Sequence, residues 1–432
     1  MDLILCPIKI TLSGGEKMKA ILIIADGLGG RPTDYNGKTC LKAAKTPYLD
    51  DLAARGAVGL MDPIGPGIRP GSDTAHLSIL GQNPYKVYTG RGVFEALGVG
   101  MEMAPGDVGF RANFAAVELV SRGLRVLDRR AGRISEGQKE LEAVINSIEL
   151  SEALDIDFEF RASTQHRGAL ILRGNGLCHC VGGTDPKQAG TLVCTSRPTE
   201  EGDIDAQRTA AALNELTKKS YEVLCNHPLN RRRVEEGKSP ANILLCRGAA
   251  DLPSLQSIES VYGVRGAVIA LGSLYRGIGK SLGMKPITAA GDASSLDEDP
   301  AAIAEMSLAA LSEYDYLFVH IKGPDNAGHD QDAAAKIAVI ERIDRELIAY
   351  LDLQLDWRTT HLAFTGDHTT PIDYGDHTAE PVPIIFVGPN VLPDKVKEFN
   401  ERAATEGGLG RFSGQALPIL FNYNNWLPKF GS

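Results

Sequence analysis

Long apolar runs that lead into acidic loops recur along the chain. The segment Lys19–Asp26 is apolar between its end residues, and the run Asp315–Ile321 continues into Lys-Gly-Pro-Asp. A third run, His361–Phe364, continues into Thr-Gly-Asp-His. Short apolar runs that are bounded by turn residues are typical of strands buried on both faces of a parallel sheet. The pattern therefore predicts three buried strands, each followed by a loop that carries an aspartate.

Helical segments and a further strand accompany these three runs. Asp332–Leu353 has helical periodicity, and Pro383–Val387 has the pattern of a strand. Strands that alternate with helices predict an α/β fold, in which a mostly parallel sheet is flanked by helices. Ligands of such sheets bind beyond the carboxyl ends of the strands, which is where the aspartates of this chain lie.

The middle of the chain has strands and helices of its own but lacks acidic residues at its strand ends. With 432 residues, the chain is also longer than one hydrophobic core usually organises. We therefore predict an inserted α+β domain over residues 109–290 and a core formed by residues 19–108 and 291–432. Residues 1–18 are interpreted as an N-terminal extension, with Met18 as an alternative start.

Composition restricts the class of function. Hydrophobic residues make up 43% of the chain and charged residues 23%, a profile typical of soluble α/β enzymes and not of disordered or fibrous proteins. The net charge of −10 gives no general attraction for nucleic acid. No apolar run approaches the roughly 20 residues that cross a bilayer. We expect a small-molecule substrate and neither nucleic acid nor membrane as a partner, while a homo-oligomer is left open.

Seven cysteines are scattered along the chain without a Cys-x-x-Cys pair. An odd, scattered set of thiols favours a reducing compartment, so we expect a cytoplasmic location. The triplet Cys178-His179-Cys180 has residue types that bind metals. Its apolar neighbours and the lack of a second half-site favour core packing instead.

The predicted strand ends concentrate side chains that suit divalent metals. Asp325 and His329 are four residues apart, a spacing that places both on one face of a helical turn. Alone, this spacing equally fits a capping aspartate and a surface histidine. The further carboxylates and imidazoles change that balance, because such a concentration of ionisable groups is typical of a site with two divalent cations. The additional candidates are Asp26, Asp367, His368 and His377.

Ser72 stands where Pro and Gly lead into a segment with helical periodicity. This position predicts that the serine lies at or near a helix N-terminus, where an N-cap is the ordinary role. A helix N-terminus also favours a phosphate or a negative oxygen, and a nearby metal would activate the hydroxyl as a nucleophile. Both interpretations remain open from the residues alone.

Six motifs occur in an order that resembles one enzyme family. They are ADGLGGRP, PGSDTAHLSILG, YTGRGVFEALG, HIKGPDNAGHD, FTGDHTTP and DHTAEPVPI. Together they resemble the archaeal-type cofactor-independent phosphoglycerate mutases of the alkaline phosphatase superfamily, and the resemblance spans nearly the whole chain. It implies an alkaline phosphatase-like core with an inserted lid domain.

The resemblance also implies a reaction and a set of site residues. The reaction is the interconversion of 3-phosphoglycerate and 2-phosphoglycerate in glycolysis and gluconeogenesis, through a phosphoserine on Ser72 and without 2,3-bisphosphoglycerate. Two divalent metals are implied, Mn²⁺ with Zn²⁺ or Co²⁺ as substitutes. One would be held by Ser72 together with Asp26, Asp367 and His368, and the other by Asp325, His329 and His377.

The predicted insert offers cations that could hold glycerate. Arginine suits this role because its planar fork binds a carboxylate or phosphate through two hydrogen bonds. Each arginine could equally be an exposed, solvated residue. Asp128 is the candidate for handling the proton of the glycerate hydroxyl, since a general base must lie on the substrate side. The candidates for substrate binding are Arg111, Arg129, Arg130, Arg133, His166, Arg167, Arg247 and Arg276.

The residues alone leave alternatives to the mutase. A metal-dependent phosphatase or a homoserine kinase-like phosphotransferase would use the same core with water or another alcohol as acceptor. A binding protein without activity is disfavoured, because the proposed ligand set is complete in the sequence.

Overall fold

The computed structural model describes residues 17–292 and 297–429. Residues 1–16 of the predicted N-terminal extension therefore lie outside the described residues. The chain divides into two compact units. The first unit comprises the residues up to Lys86, Leu255–Tyr275 and the residues from Gly279 onward, and the second comprises Val87–Ser254 and Arg276–Ile278.

The strands of the described residues are, in chain order, β1 (Lys19–Ala25), β2 (Ala57–Asp62), β3 (Val108–Val120), β4 (Gly123–Asp128), β5 (Asp157–Ala162), β6 (Arg167–Arg173), β7 (Ile243–Ala250), β8 (Gly266–Ala270), β9 (Lys285–Thr288), β10 (Gly291–Asp292), β11 (Asp297–Glu298), β12 (Tyr316–Ile321), β13 (Thr360–Thr365), β14 (Val382–Val387) and β15 (Gly410–Ser413).

The helices are α1 (Cys40–Ala43), α2 (Pro47–Arg55), α3 (Ser72–Ile79), α4 (Pro84–Val87), α5 (Gly92–Gly98), α6 (Gln138–Asn146), α7 (Ile204–Leu224), α8 (Pro228–Glu235), α9 (Ile258–Tyr262), α10 (Ser273–Ser281), α11 (Pro300–Glu313), α12 (Gly323–His329), α13 (Ala333–Arg342), α14 (Ala349–Gln354), α15 (Glu401–Ala404) and α16 (Ala416–Tyr423). A π-helical segment, Ile343–Ile348, joins α13 to α14, and short 3₁₀ turns form at Ala131–Arg133 and Glu152–Leu154.

An eight-stranded sheet forms the centre of the first unit. Its strand order is β15-β2-β14-β13-β1-β12-β8-β9. Only β14 runs antiparallel to its neighbours, so the sheet is mostly parallel as predicted. The three strands predicted from apolar runs are β1, β12 and β13, and they lie side by side with β1 in the middle.

Burial explains why these strands are apolar throughout. Every residue of β12 and β13 is buried, as is every residue of β1 after Lys19. Helices such as α2, α11 and α13 cover the sheet, and their apolar residues join one core with those of the strands. The predicted helix at Asp332–Leu353 is observed as α13, the π-helical segment and α14, with Asp332 as the N-cap.

The second unit is of α+β type, as predicted for the inserted domain. Its sheet has the order β4-β3-β6-β5, with β7 also paired to β3, and all of these pairs are antiparallel. Helices α6 and α7 contribute apolar residues to a core that includes Phe110, Phe114 and Phe160.

The boundaries of the units differ from the predicted positions. Strand β8 was assigned to the insert, yet it pairs in parallel with β12 in the large sheet, where Ala267 lies opposite Leu317. Conversely, α5 lies in the second unit rather than in the core. The core was predicted from strands that lead into loops with an acidic residue. Strand β8 leads into Leu-Gly-Ser, which contains none.

None of the helices within residues 17–292 and 297–429 is both long enough and apolar enough to cross a membrane.

Candidate active site

The register of the central strands brings three motif loops together. In the parallel pairing, Ala25 of β1 lies opposite Ile321 of β12, and Ile24 lies opposite Thr365 of β13. The next residues along each strand are therefore neighbours at one edge of the sheet. These residues begin the loops that carry Asp26, Asp325 and Asp367.

One group of predicted ligands is fully buried. A donor atom from each of Asp26, Asp367 and His368 lies within 4.8 Å of the other two. His368 Nε2 is 3.3 Å from Asp26 Oδ1 and 3.3 Å from Asp367 Oδ2. The structure thus brings together three of the four residues predicted for one cation.

Ser72, the fourth residue of this set, is the first residue of α3. The cap position is occupied by Gly71, so the interpretation of Ser72 as an N-cap is wrong. Its hydroxyl Oγ lies 3.2 Å from His368 Nε2. The serine therefore faces the ligand group at the positive end of the helix.

A second group forms around Asp325. Donor atoms of Asp325, His368 and His377 lie within 4.8 Å of one another. Asp325 Oδ1 is 3.6 Å from His377 Nε2, and Asp325 Oδ2 is 3.4 Å from His329 Nε2. The predicted i, i+4 pair on α12 therefore shares one face, as expected. The rings of His368 and His377 stack at 3.5 Å between centroids, which joins the two groups.

Asp376 extends this second group beyond the predicted residues. Donor atoms of His329, Asp376 and His377 also lie within 4.8 Å of one another. The Asp376 carboxylate is paired with Arg69. Since it directly precedes His377 in the DHTAEPVPI motif, the sequence contained a signal that the prediction did not use.

The buried carboxylates fit divalent cations. Asp26 Oδ1 and Asp367 Oδ2 are buried without a hydrogen-bond partner. A buried carboxylate oxygen is costly unless a donor or a cation satisfies it. Oxygen and imidazole donors of this kind suit Mn²⁺, Zn²⁺ and Co²⁺. The donor set therefore fits the predicted metal site.

The two buried aspartates around His368 differ in their ionisation. Burial and then the negative charge of Asp26 raise the pKa of Asp367 to about 8. Burial also opposes the ionisation of Asp26, but the Lys322 ammonium holds the pKa of that carboxyl well below its usual range. A cation at this site would compensate the negative charge that Asp367 gains on ionisation beside Asp26, and would therefore favour the ionised form of Asp367.

Lys322 is a charged residue of the site that the predicted ligand set omits. Its ammonium lies 2.8 Å from Asp26 Oδ2 and also pairs with Asp325. It directly follows β12, so the register that positions Asp26 also positions Lys322. This lysine balances part of the negative charge of both ligand groups.

Three aromatic residues near Asp26 were also missed. Asp26 Oδ2 accepts hydrogen bonds from the hydroxyl of Tyr275 and, at 3.0 Å, from His320 Nε2. His76 Nδ1 lies 2.6 Å from the carbonyl oxygen of Ser72 and 3.5 Å from Asp367 Oδ2. His76 follows Ser72 by four residues on α3, a spacing that could have identified it.

Through its side chain, Lys336 stabilises two loops that carry predicted metal ligands. It is a fully buried residue of α13 whose ammonium donates to the carbonyl oxygens of Gly29 and Thr370, both at 2.8 Å. One carbonyl belongs to the loop after Asp26, and the other to the loop of Asp367 and His368. A single side chain thus ties together two ligand-bearing loops.

The predicted substrate residues of the second unit gather around three neighbouring strands. Arg111 of β3 lies directly opposite Arg247 of β7, and Asn113 lies opposite Arg167 of β6. Because Arg111 and Asn113 are two residues apart, these four side chains project from the same face of the sheet.

The electrostatics of this cluster favours an anionic ligand. Burial, and then the charge of Arg91, lowers the pKa of Arg111 to about 9. Arg111 Nε and Asn113 Oδ1 are buried without a hydrogen-bond partner. Glu95, with an oxygen 3.8 Å from Arg111 Nη1, compensates only part of the positive charge. Such buried arginines are stabilised by a carboxylate or phosphate ligand.

His166 and the loop after β4 lie near this cluster. Burial, followed by the charges of Arg167, Arg111 and Arg130, lowers the pKa of His166 to about 3. The imidazole is therefore neutral near pH 7. Arg133 also acts on Arg167, whose pKa is lowered first by its burial.

Several candidates also have protein partners, among them Arg247, whose Nε lies 3.4 Å from Asp185 Oδ2. Arg129 donates hydrogen bonds of 2.8 and 2.6 Å to Asp185. Arg276 Nε donates to the Gly98 carbonyl at 3.4 Å. The two oxygens of Asp128 accept from the backbone of Arg130 at 2.8 Å and Gly132 at 2.6 Å, so this carboxylate holds the turn that carries the arginines.

Comparison with known proteins adds to this geometry. The family profile of 2,3-bisphosphoglycerate-independent phosphoglycerate mutase matches residues 53–230. The 2,3-bisphosphoglycerate-independent phosphoglycerate mutase of Methanopyrus kandleri is 45% identical over 422 residues, which is 97% of this chain and 99% of that protein. The protein named 2,3-bisphosphoglycerate-independent phosphoglycerate mutase 1 of Archaeoglobus fulgidus is 45% identical over 96% of this chain and 100% of its own.

Two solved structures share the fold. The PH0037 protein from Pyrococcus horikoshii has a TM-score of 0.81 and 35% identity, covering 96% of this chain and 100% of its own. The cofactor-independent phosphoglycerate mutase from Thermoplasma acidophilum has a TM-score of 0.65 and 31% identity, covering 94% of this chain and 100% of its own.

Proposed function

Because this chain belongs to the family of 2,3-bisphosphoglycerate-independent phosphoglycerate mutases, we propose that it interconverts 3-phosphoglycerate and 2-phosphoglycerate through a phosphoserine on Ser72. The observation that supports this mechanism is the 3.2 Å distance between Ser72 Oγ and His368 Nε2, within a buried group of carboxylates. A serine at a helix N-terminus can accept a phosphoryl group, because the helix end favours the negative charge of the phosphate.

Two divalent cations are part of the proposal. Asp26, Ser72, Asp367 and His368 would hold one, while Asp325, His329 and His377 would hold the other, with Mn²⁺, Zn²⁺ and Co²⁺ as suitable ions. Such cations, when bound, lower the pKa of a hydroxyl and neutralise the charge of a phosphoryl group in transfer.

The chain's own residues account for the two transfers. In the first, Ser72 Oγ loses its proton and forms a bond to phosphorus, while the bond between phosphorus and the 3-oxygen of the substrate breaks and that oxygen takes up a proton. In the second, the 2-oxygen of glycerate forms the bond to phosphorus, and the bond to Ser72 Oγ breaks. Lys322 stays charged beside Asp26, because the Asp26 and Asp325 carboxylates raise its pKa well above the usual range despite its burial.

The arginine cluster would hold glycerate between the two transfers. Arg111, Arg167 and Arg247 share one face of the sheet and suit the carboxylate. We also propose that Asp128, whose carboxylate holds the turn that carries the neighbouring arginines, handles the proton of the glycerate hydroxyl. A role in glycolysis and gluconeogenesis and a cytoplasmic location complete the proposal, the latter supported by free thiols at the six cysteines within the described residues.

A coupled assay tests the proposal. The chain is incubated with 3-phosphoglycerate and Mn²⁺, without 2,3-bisphosphoglycerate, and 2-phosphoglycerate is followed through enolase while free phosphate is measured in parallel. We expect 2-phosphoglycerate without phosphate release. Phosphate without the isomer would instead support a hydrolase.

Replacing the nucleophile tests the phosphoserine. Ser72→Ala should lower kcat on the order of 10³-fold or more, because the transferring oxygen is lost. Ser312→Ala, which changes a serine at an exposed helix end in the same unit, is the control and should keep full activity. Wild-type turnover in Ser72→Ala would contradict the mechanism.

A further inference from the structure

A cysteine and histidine cluster in the second unit is used neither by the predicted metal site nor by the substrate residues. Cys178, His179 and Cys180 lie in the loop that follows β6. One donor atom from each residue lies within 4.8 Å of the other two. All three side chains are half-buried, so they are reachable from solvent without being fully exposed.

The backbone of this loop turns tightly and brings the side chains together. Cys180 N donates a hydrogen bond to Cys178 Sγ at 3.2 Å, and Val181 N donates to the carbonyl of His179 at 2.7 Å. Backbone N–H donors aimed at a sulfur stabilise the negative charge of a thiolate. This backbone donor favours a thiolate at Cys178, whereas burial of the thiol opposes it, so the sulfur gives up its proton when a cation binds.

Contacts outside the triplet hold the loop in place. Cys178 N donates to Thr209 Oγ1 of α7 at 2.9 Å, and Thr199 N donates to the carbonyl of Cys180 at 2.9 Å. Both cysteines also pack against the apolar core of this unit. The donor group is thus fixed on both sides before a ligand binds, which reduces the entropy cost of binding.

A carboxylate stands beside the imidazole. Asp251 Oδ2 lies 3.4 Å from His179 Nδ1, and Asp251 Oδ1 is buried without a hydrogen-bond partner. Histidines that bind metals usually have a carboxylate or carbonyl on the ring, which fixes the ring orientation and increases its basicity. The core packing predicted from the sequence does not account for this carboxylate.

We propose that Cys178, His179 and Cys180 bind one zinc-class divalent cation, with Asp251 as the carboxylate that positions the imidazole. Two thiolates and one imidazole are donors that Zn²⁺ prefers, and three protein ligands leave a position for water. Binding releases the two thiol protons to solvent. This cation is additional to the two in the catalytic proposal, whose donors are oxygen and imidazole only.

Cobalt substitution distinguishes this site from the catalytic one. The reduced full-length chain is loaded with Co²⁺ without oxygen, and its near-ultraviolet spectrum and bound cobalt are measured. Thiolate-to-cobalt charge transfer requires sulfur, which the predicted catalytic ligands lack, so this absorption distinguishes the proposed site from the catalytic one. We expect the band in the wild type, one bound cobalt more than in Cys178→Ser/Cys180→Ser, and loss of the band when Zn²⁺ is added.

Control variants distinguish loss of the proposed metal site from misfolding of the chain. Cys194→Ser changes an exposed thiol of the same unit and should keep the band and the cobalt content. Asp251→Asn keeps both sulfurs and should weaken cobalt affinity by about 10-fold or more. Mutase activity of each variant reports that the chain is folded.

Several outcomes would overturn the proposal. The first is a wild-type chain that lacks the charge-transfer band and binds as much cobalt as the double serine variant. The second is a band that survives the double substitution. A disulfide between Cys178 and Cys180 in chain purified under reducing conditions would also overturn it, because the sulfurs would then be unavailable to a metal.

Discussion

At the scale of single residues, Asp26 is surrounded by groups that compensate its charge. Lys322, Tyr275 and His320 all contact Asp26 Oδ2, while Asp26 Oδ1 faces His368. One oxygen is thus satisfied by the protein, and the other remains directed at the ligand group. The protein holds this carboxylate ionised and leaves it one free oxygen for a cation.

Replacing Lys322 by Met should show this compensation directly. In metal-free protein the change leaves two buried carboxylates without their ammonium, which should lower the free energy of unfolding by about 3–5 kcal/mol. Added Mn²⁺ should reduce the difference from wild type, because the ion replaces the lost positive charge. Thermal unfolding with and without Mn²⁺ measures both effects.

A variant of a surface lysine serves as the control for the Lys322 variant. Lys42 pairs with Glu398 at an exposed position of the first unit, so Lys42→Gln should change stability by less than about 1 kcal/mol in either condition. Equal losses in the Lys322 and Lys42 variants would show that Lys322 does not balance the ligand groups.

The sequence pointed to Asp26, Asp325 and Asp367 but not to Tyr275 or His320, which contact Asp26. Asp26, Asp325 and Asp367 were found because each follows a recognisable strand or a spaced motif. His320 lies inside the apolar run of β12, and Tyr275 lies on α10, far along the chain from Asp26. Their contact depends on how distant elements pack, for which local periodicity contains no information.

At the scale of secondary-structure elements, α13 positions the catalytic loops through Lys336. Its ammonium is the donor to the Gly29 and Thr370 carbonyls. Lys336→Met would remove the ammonium that donates to the buried Thr370 carbonyl, at a cost of about 1–3 kcal/mol. The Gly29 carbonyl would keep its hydrogen bond of 3.2 Å from Thr370 N. The displaced loops should also weaken Mn²⁺ binding by about 10- to 100-fold.

Metal titration together with steady-state kinetics measures this effect. Arg342→Gln, at the half-buried C-terminal end of the same helix, is the matched control, and its Mn²⁺ affinity should match that of the wild type. If Lys336→Met lost stability but kept wild-type Mn²⁺ affinity, the lysine would be structural only.

The N-terminus of α2 depends on a carboxylate from another element. Its cap residue, Thr46, makes no side-chain cap hydrogen bond. Asp344, in the π-helical segment, accepts instead from Leu49 N at 2.7 Å and Tyr48 N at 3.3 Å. Burial raises the pKa of Asp344 to about 6.

This raised pKa predicts a pH dependence of stability. The folded chain keeps the Asp344 proton above the pH at which the unfolded chain loses it, so Asp344 makes stability fall as pH rises from about 4 to 6. Asp344→Asn should reduce this pH-dependent loss of unfolding free energy by about 1 kcal/mol, after allowance for solvent screening. Urea unfolding at several pH values measures the slope, and an unchanged slope would contradict the assignment.

The strands were easier to predict than their assignment to domains. The apolar runs identified β1, β12 and β13 because buried parallel strands have little alternation to obscure them. Strand β8 has the same character, but it was assigned to the insert because no acidic residue follows it. The domain to which a strand belongs depends on the strands with which it pairs, and these can be distant in the sequence.

At the scale of the whole molecule, the predicted metal ligands all belong to the first unit. Adding Mn²⁺ at about 100 times its dissociation constant should stabilise that unit by about 2.7 kcal/mol. Amide hydrogen exchange should therefore slow in β1, β12 and β13, with little change in β3 and β6. Equal slowing in both groups of strands would contradict the location of the ligands.

The position of β1 has a consequence during synthesis. Its partners β12 and β13 come from the far end of the chain, where Ile21 meets Leu317 and Leu362. At about 5–20 residues per second, a ribosome needs roughly tens of seconds to produce them. During that interval the nascent first strand is a candidate client for chaperones, and Ser72 has emerged without Asp367 or His368. An interrupted chain would therefore contain the serine but could not yet use it to transfer phosphate.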